Sequence, residues 1–145
     1  MEEADEVLRL DRQLCFPLYA ASRAVIRLYH PWLSELDLTY TQYITMMALW
    51  EKEPQSVKEL CRRLYLDTGT LTPLLKALEK KGLLLRSRSK EDERSVNITL
   101  TDAGRALRER ARSIPAQVGS CIKLEPQRAQ QLWQLLYELL DNEEE

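Results

Sequence analysis

The chain has 145 residues, a net charge of −2, four glycines, three cysteines and a single histidine. That length accommodates one domain with a core but not two independent ones, and few glycines among abundant Leu, Ala, Glu, Arg and Lys predict a mainly helical fold. No apolar run approaches the ~18 residues of a membrane span, and the acidic start MEEADEVLRLDRQ is not a signal peptide, so a cytoplasmic protein is expected. Widely spaced Cys15, Cys61 and Cys121 make neither a disulfide framework nor a zinc pattern, and His30 has no metal-binding companion; no metal or cofactor is expected.

Met1 to Asp5 is expected to be a frayed acidic end. From about Glu6 to His30 the pattern is helical, with Cys15, Leu18, Ser22, Val25 and Tyr29 on one stripe, so Cys15 is expected to face inward. Pro17 removes its own amide and crowds the carbonyl of Gln13, which predicts a kink or a late helix start beside the thiol. Cys15 is then either a small core hydrophobe or a thiol set beside a kink for chemistry. His30-Pro31 is predicted to break the helix, and Trp32 to Asp37 to form a short helical turn. A second helix is expected from Thr39 or Thr41 to about Glu53, with Ile44, Met47, Ala48 and Trp50 inward. Tyr29 and Tyr40 thereby stand at element ends, as packing residues or with hydroxyls directed at a shared polar group.

Ser56 followed by Glu59 is a capping box, predicting a helix to about Leu64 with Val57, Leu60, Cys61 and Leu64 on its inner face. Asp67 caps the next helix, Thr68 to Lys81, whose buried stripe is Leu71, Leu74, Leu75 and Leu78. Gly82 supplies the left-handed residue past its end. Leu83 to Arg88 and Ser95 to Thr99 read as a hairpin around SKEDER, and Thr101-Asp102 opens another helix. Two helices joined by a short turn and followed by a basic hairpin form a winged helix-turn-helix, a DNA-reading motif.

The opening residues of the second helix, Thr68, Gly69, Thr70 and Thr72, are small hydrogen-bonding groups suited to a groove, with Lys76 further along the exposed side. Arg86, Arg88, Lys90 and Arg94 can meet phosphates from the hairpin, and an arginine at its tip can enter a narrow minor groove. Ser56 to Arg94 carries ten Lys or Arg against six Asp or Glu, net +4, so the remaining residues are net −6. Charge alone is equally compatible with a solvated face; the caps and hairpin tip the reading to DNA.

After the hairpin, a helix through Asp102, Leu107, Ala111 and Ile114 is expected to be interrupted by Pro115 and to end near Gly119, leaving Cys121 accessible in or near a connection. The last helix, Glu125 to Leu140, carries Ala129, Leu132, Trp133, Leu136, Leu139 and Leu140 on a wide apolar face, and the tail Asp141 to Glu145 is expected to be solvated. A second copy is the simplest cover for such a face, and a two-fold dimer would space two reading helices about one DNA turn apart. The organisation expected is one domain over 1–145, with dimerisation helices at 1–38 and 101–145 flanking a DNA-binding region at 39–100.

The helix order, the wing sequence Asp92-Glu93-Arg94-Ser95 and the long terminal helices resemble the MarR family of dimeric bacterial repressors. The runs LCFPLYAASR (Leu14 to Arg23) and LYLDTGTLTPLLKALE (Leu64 to Glu79) are similar to its organic hydroperoxide resistance regulators, over nearly the whole chain. That resemblance implies a homodimeric repressor on a pseudo-palindromic operator, induced by an organic hydroperoxide. Cys15 matches the reactive cysteine, and Tyr29 and Tyr40 match the tyrosines that contact its sulfur across the dimer. Asp92 and Arg94 match the wing motif, whose arginine reaches the minor groove. Cys121 lies about where the two-cysteine branch has its resolving cysteine, whereas Cys61 matches neither role and reads as core.

The chemistry is coherent by itself. A thiolate attacks peroxide, hydrogen bonds from two phenols stabilise that charge, and apolar surroundings favour alkyl hydroperoxides over hydrogen peroxide. A second thiol condenses the resulting sulfenic acid to a disulfide. Three rivals remain: a MarR-type repressor gated by a small aromatic ligand with structural cysteines, a thiol peroxidase, and a winged helix used for protein contacts. No paired catalytic carboxylates, phosphate loop or nucleophile triad is visible, and an enzyme is not expected.

Overall fold

The computed structural model describes residues 2–143, among which lie eight α-helices and a three-stranded sheet. Met1, Glu144 and Glu145, the outermost residues of the two acidic ends, lie outside the described residues. The start expected to fray is instead a short helix, α1 (Glu2–Val7), followed by a 3-10 turn at Leu10–Arg12. Arg9 organises it by pairing with Glu6 at 3.1 Å and Asp11 at 2.8 Å.

Helix α2 (Cys15–Glu35) starts late, in keeping with Pro17, because a first-turn amide has no intrahelical carbonyl to meet. The break expected at His30-Pro31 does not occur. Pro31 lies inside α2, and the separate turn expected from Trp32 becomes the end of the same helix. Core packing is the reason: continuing past Pro31 seats Leu33, 2% exposed, in the interior, and Leu36 and Leu38 follow it there. Tertiary burial thus outweighs one lost backbone bond. The chain reverses at Asp37, whose φ of 54° is tolerated by a short polar side chain, while the Leu36 and Leu38 amides both donate to the Leu33 carbonyl.

Helix α3 (Tyr40–Glu51) opens with a reciprocal cap: Thr39 Oγ1 accepts the Gln42 amide at 3.3 Å, and Gln42 Oε1 accepts the Thr39 amide at 3.1 Å. Its inward set differs from the expected one. Met46 and Leu49 are fully buried, Tyr43 and Ala48 nearly so, whereas Met47 is exposed and Ile44 and Trp50 are half-buried. Other helices pack around α3 on several sides, so its apolar residues have no single phase to follow. Gln55 is buried beside its end, donating Nε2 to the Ala48 and Lys52 carbonyls, and anchors a two-residue strand β1 (Gln55–Ser56) absent from the sequence reading. Two polar residues offer no alternation by which to find a strand.

Helices α4 (Val57–Leu64) and α5 (Thr68–Lys80) follow as expected, joined through Tyr65 at φ 55°. Ser56 accepts the Glu59 amide at 3.0 Å, which is the first half of the predicted capping box. Leu71, Leu74, Leu75 and Leu78 are all buried, and Gly82 takes φ 78° past the end. Strands β2 (Leu84–Arg88) and β3 (Val96–Leu100) pair antiparallel, with Leu84 opposite Leu100 and Arg86 opposite Ile98; β1 lies on the other side of β3. Helix α6 (Asp102–Ala111) is capped by Thr101, and α7 (Ile114–Cys121) is a new helix with Pro115 in its first turn, not a continuation interrupted there. Helix α8 is Pro126–Glu143.

Candidate functional site

The start of α5 is presented to solvent by its cap. Asp67 accepts the Thr70 amide at 2.7 Å, and that bond holds the Asp67 carboxyl below the usual carboxylate range. Thr68, Gly69, Thr70 and Lys76 are exposed, whereas Thr72 is half-buried. Behind them Cys61 packs partly against the core with its sulfur 3.9 Å from Thr68 Oγ1, in keeping with a helix-turn-helix packing residue.

On the hairpin, Arg88, Lys90 and Arg94 are exposed. Asp92 shapes the tip, accepting the Arg94 amide at 3.0 Å and the Ser95 hydroxyl at 3.2 Å. Arg86 is different from the other wing cations. Its Nε and Nη2 reach Glu79 Oε1 at 3.2 and 3.1 Å, and its backbone amide donates to Glu79 Oε2 at 3.0 Å. Below the hairpin, Glu53 Oε1 accepts the Leu100 amide at 3.2 Å and Arg105 Nη2 at 2.7 Å, joining the end of α3 to β3 and α6. The Arg105 guanidinium, aided by that amide, holds the Glu53 carboxyl below its ordinary value.

The thiols lie elsewhere. Cys15 is the first residue of α2 and is exposed in the single chain, which corrects the inward orientation expected from its stripe. The stripe does turn toward other residues, but they belong to a surface groove. Leu18, Ser22 and Val25 from α2 face Leu132, Leu136 and Leu139 from α8 across an apolar groove of about 720 Å³, with Tyr40 also lining it. Cys121 ends α7, is exposed, and donates to the Gln117 carbonyl at 3.5 Å. Much of α8 is uncovered: Leu132, Trp133, Leu135, Tyr137 and Leu139 are each 44–57% exposed.

Tyr29 and Tyr40 do meet, ring centroids 5.0 Å apart in an edge-on contact. Tyr29 lies within α2 instead of at its end, because α2 continues. A third phenol joins them: Tyr43 is 5.7 Å from Tyr29 and 6.3 Å from Tyr40. Burial, then the neighbouring phenols, push Tyr43 up to about 12, and burial with Tyr29 raises Tyr40 above its ordinary value. Tyr40 and Tyr43 therefore carry their protons through the neutral range. Tyr43 was missed in the sequence although its spacing of three from Tyr40 puts both on one helix face.

Comparison with known proteins agrees with this architecture. A family model for the transcriptional regulators SarA/Rot matches residues 27–110. The chain is 46% identical over 141 residues to the organic hydroperoxide resistance transcriptional regulator of Bacillus subtilis strain 168, covering 97% of this chain and 96% of that one. Reduced AbfR bound to DNA matches with a TM-score of 0.77 at 34% identity, over 98% of this chain and 99% of that chain. Disulfide-formed AbfR matches with a TM-score of 0.65 at 37% identity, over 96% and 98% of the two chains; AbfR is from Staphylococcus epidermidis. With the helix order, the wing and this likeness over nearly its whole length, the chain belongs to the MarR family of winged helix-turn-helix, DNA-binding transcriptional regulators, as one of its organic hydroperoxide resistance regulator type.

Proposed function

We propose that this protein is a redox-sensing repressor that releases operator DNA when an organic hydroperoxide oxidises Cys15. The observation that carries the reading is the exposed thiol of Cys15 in the chain between Leu14 and Pro17, both of which line the apolar groove. An alkyl hydroperoxide gains from burying its organic tail along such a surface, whereas hydrogen peroxide has no tail to bury. The Cys15 thiolate attacks one peroxide oxygen, the O–O bond breaks, and the organic fragment leaves as an alcohol once protonated. Sulfur, now a sulfenic acid, has supplied the two electrons. Cys121 of a second subunit then attacks that sulfur, forming a disulfide and releasing water.

Helix geometry supports the expected division between subunits. Cys15 and Tyr29 lie on one continuous helix, 14 residues apart, which at 1.5 Å per residue is about 21 Å along its axis. For Tyr29, and for Tyr40 packed against it, to contact the Cys15 sulfur, they must then come from a partner chain, as a homodimer through 1–38 and 101–145 provides. The uncovered apolar side chains of α8 and the groove wall on α2 give that dimer its surface. The 39–100 region reads DNA through Thr68, Gly69, Thr70, Thr72 and Lys76 and through wing residues including Asp92 and Arg94. A likeness greater to DNA-bound AbfR, whether reduced or overoxidised, than to disulfide-formed AbfR supports a DNA-competent conformation for the chain without its disulfide. Taking an operator from ~99% filled to ~1% filled needs about a 10⁴-fold loss of affinity, on the order of 5.5 kcal/mol.

The test is a non-reducing denaturing gel of fully reduced protein after about one equivalent of cumene hydroperoxide, beside Cys15→Ser and Cys121→Ser. The probe for DNA is a labelled duplex selected from a random library by the wild-type protein. A covalent dimer lost in both variants, with duplex release lost in Cys15→Ser, is the expected result. If Cys15→Ser still releases DNA on peroxide addition, the reading fails. The groove itself favours the second reading, a repressor gated by a small aromatic ligand, but the exposure of Cys15 and Cys121 speaks against cysteines retained for packing.

A further inference from the structure

We infer that Glu79 and Arg86 form a clamp that sets the angle between the reading helix and the wing, and that Arg86 is a positioning residue for DNA binding and not a phosphate contact. The inference rests on the DNA-binding role of the family and is independent of the redox reading. Arg86 lies in the basic hairpin, and its charge alone would assign it to phosphate. Its contacts assign it otherwise. One carboxylate in the last turn of α5 receives three hydrogen bonds from a single residue of β2, two from the guanidinium and one from the backbone amide. Both side chains are about one-third exposed, at 30% and 32%, whereas Arg88, Lys90 and Arg94 are exposed.

The backbone bond is the more telling of the contacts. Among the described residues strand β2 pairs only with β3, so one row of its polar groups faces away from the sheet. Glu79 takes the Arg86 amide from that open edge, so the carboxylate grips the strand's main chain as well as its side chain. Those bonds keep the Glu79 carboxyl below its ordinary value, with the backbone amide as the largest cause, so the clamp stays charged through the neutral range. Beyond Arg86 the hairpin runs out to Arg88, Lys90 and Arg94, while the same α5 presents Thr68 and Thr70 at its other end. Two surfaces that must engage one duplex are thereby joined at a fixed angle. Without the clamp, ordering the wing falls to the binding step and weakens it.

The clamp and a direct phosphate contact predict opposite signs for one substitution. Glu79→Gln removes a negative charge next to a DNA-binding surface and frees Arg86. If Arg86 serves phosphate, binding to the selected duplex tightens. If the clamp positions the wing, binding weakens by about threefold to tenfold, the range for leaving one side chain to be ordered at binding. Arg86→Gln gives the same loss, and the double variant no more than either single one, because both remove one interaction. Fluorescence anisotropy with that duplex, beside thermal melting of each variant, reads all of this. Tighter binding by Glu79→Gln, additive losses in the double variant, or a lowered melting temperature with unchanged affinity of the folded protein would each overturn the inference. Should Glu79→Gln not fold, Arg86→Gln and the salt dependence of its binding decide: loss of a phosphate contact lowers the slope by about 1 and overturns the inference, whereas a positioning role weakens binding with the slope unchanged.

Discussion

Gly104→Ala is the substitution for which helix propensity and tertiary packing disagree most sharply. Gly104 lies in the first turn of α6, where replacing glycine by alanine ordinarily gains up to about 1 kcal/mol. A Cβ there would stand 2.0 Å from the Leu83 carbonyl oxygen, 3.1 Å from its carbon and 3.3 Å from Leu100 Cδ2. The first distance is 1.0 Å below the 3.0 Å that real Cβ atoms respect, and its partner is backbone, which no rotamer change can move aside. Relief requires α6 to retreat from the hairpin, loosening the Thr101 amide bond to Leu83 O at 3.1 Å and the Trp50 indole bond to Gly104 O at 2.8 Å. Over-packing against such a wall costs about 1–3 kcal/mol, so a net loss of about 2 kcal/mol and a fall of roughly 6 °C in melting temperature are expected. Calorimetry at one fixed protein concentration is the assay, since association shifts the melting point. A variant that melts at or above the wild type would refute the reasoning and leave propensity as the dominant effect.

Leu75→Ala empties a fully buried site under the reading helix and is expected to lose about 2–5 kcal/mol in urea denaturation. Asp67→Ala removes the cap of α5, so duplex affinity should fall, and so should the acid dependence of stability. Because the Asp67 carboxyl is depressed in the folded state, its contribution is present above the unfolded carboxylate range and fades as pH falls through the folded value; a variant that keeps the wild-type acid profile would contradict this. Tyr43 is raised from 10.0 to about 12, so its contribution is full below about pH 10 and is lost as pH rises toward 12. Tyr43→Phe should flatten alkaline denaturation in that window, followed by circular dichroism. Arg94→Ala should lower the slope of log affinity against log salt by about 1, and an unchanged slope would remove Arg94 from the DNA contacts.

The winged region was legible because its signals are local. Ser56, Asp67, Gly82 and Thr101 each act on backbone within a few residues, and the leucines of α5 have one buried face to repeat on. The roles expected of Cys15, Tyr29 and Tyr40 come only from resemblance; no periodicity marks a cysteine as reactive. What the amino-acid sequence could not decide depended on forces from elsewhere in the fold. Pro31 does not end α2 because Leu33 must reach the core, and α3 had no readable phase because its neighbours bury it on several sides. The stripe through Leu18 and Val25 belongs to a groove with α8, and Cys15, the first residue of α2, is exposed instead of inside. Arg86 looked like its neighbours in the basic hairpin until chain reversal at Gly82 brought Glu79 against the open edge of β2. Composition and spacing determine which elements form and what chemistry their side chains offer. Which partner each charge and each thiol meets is settled only when segments distant in sequence pack, because those energies depend on neighbours that local sequence does not contain.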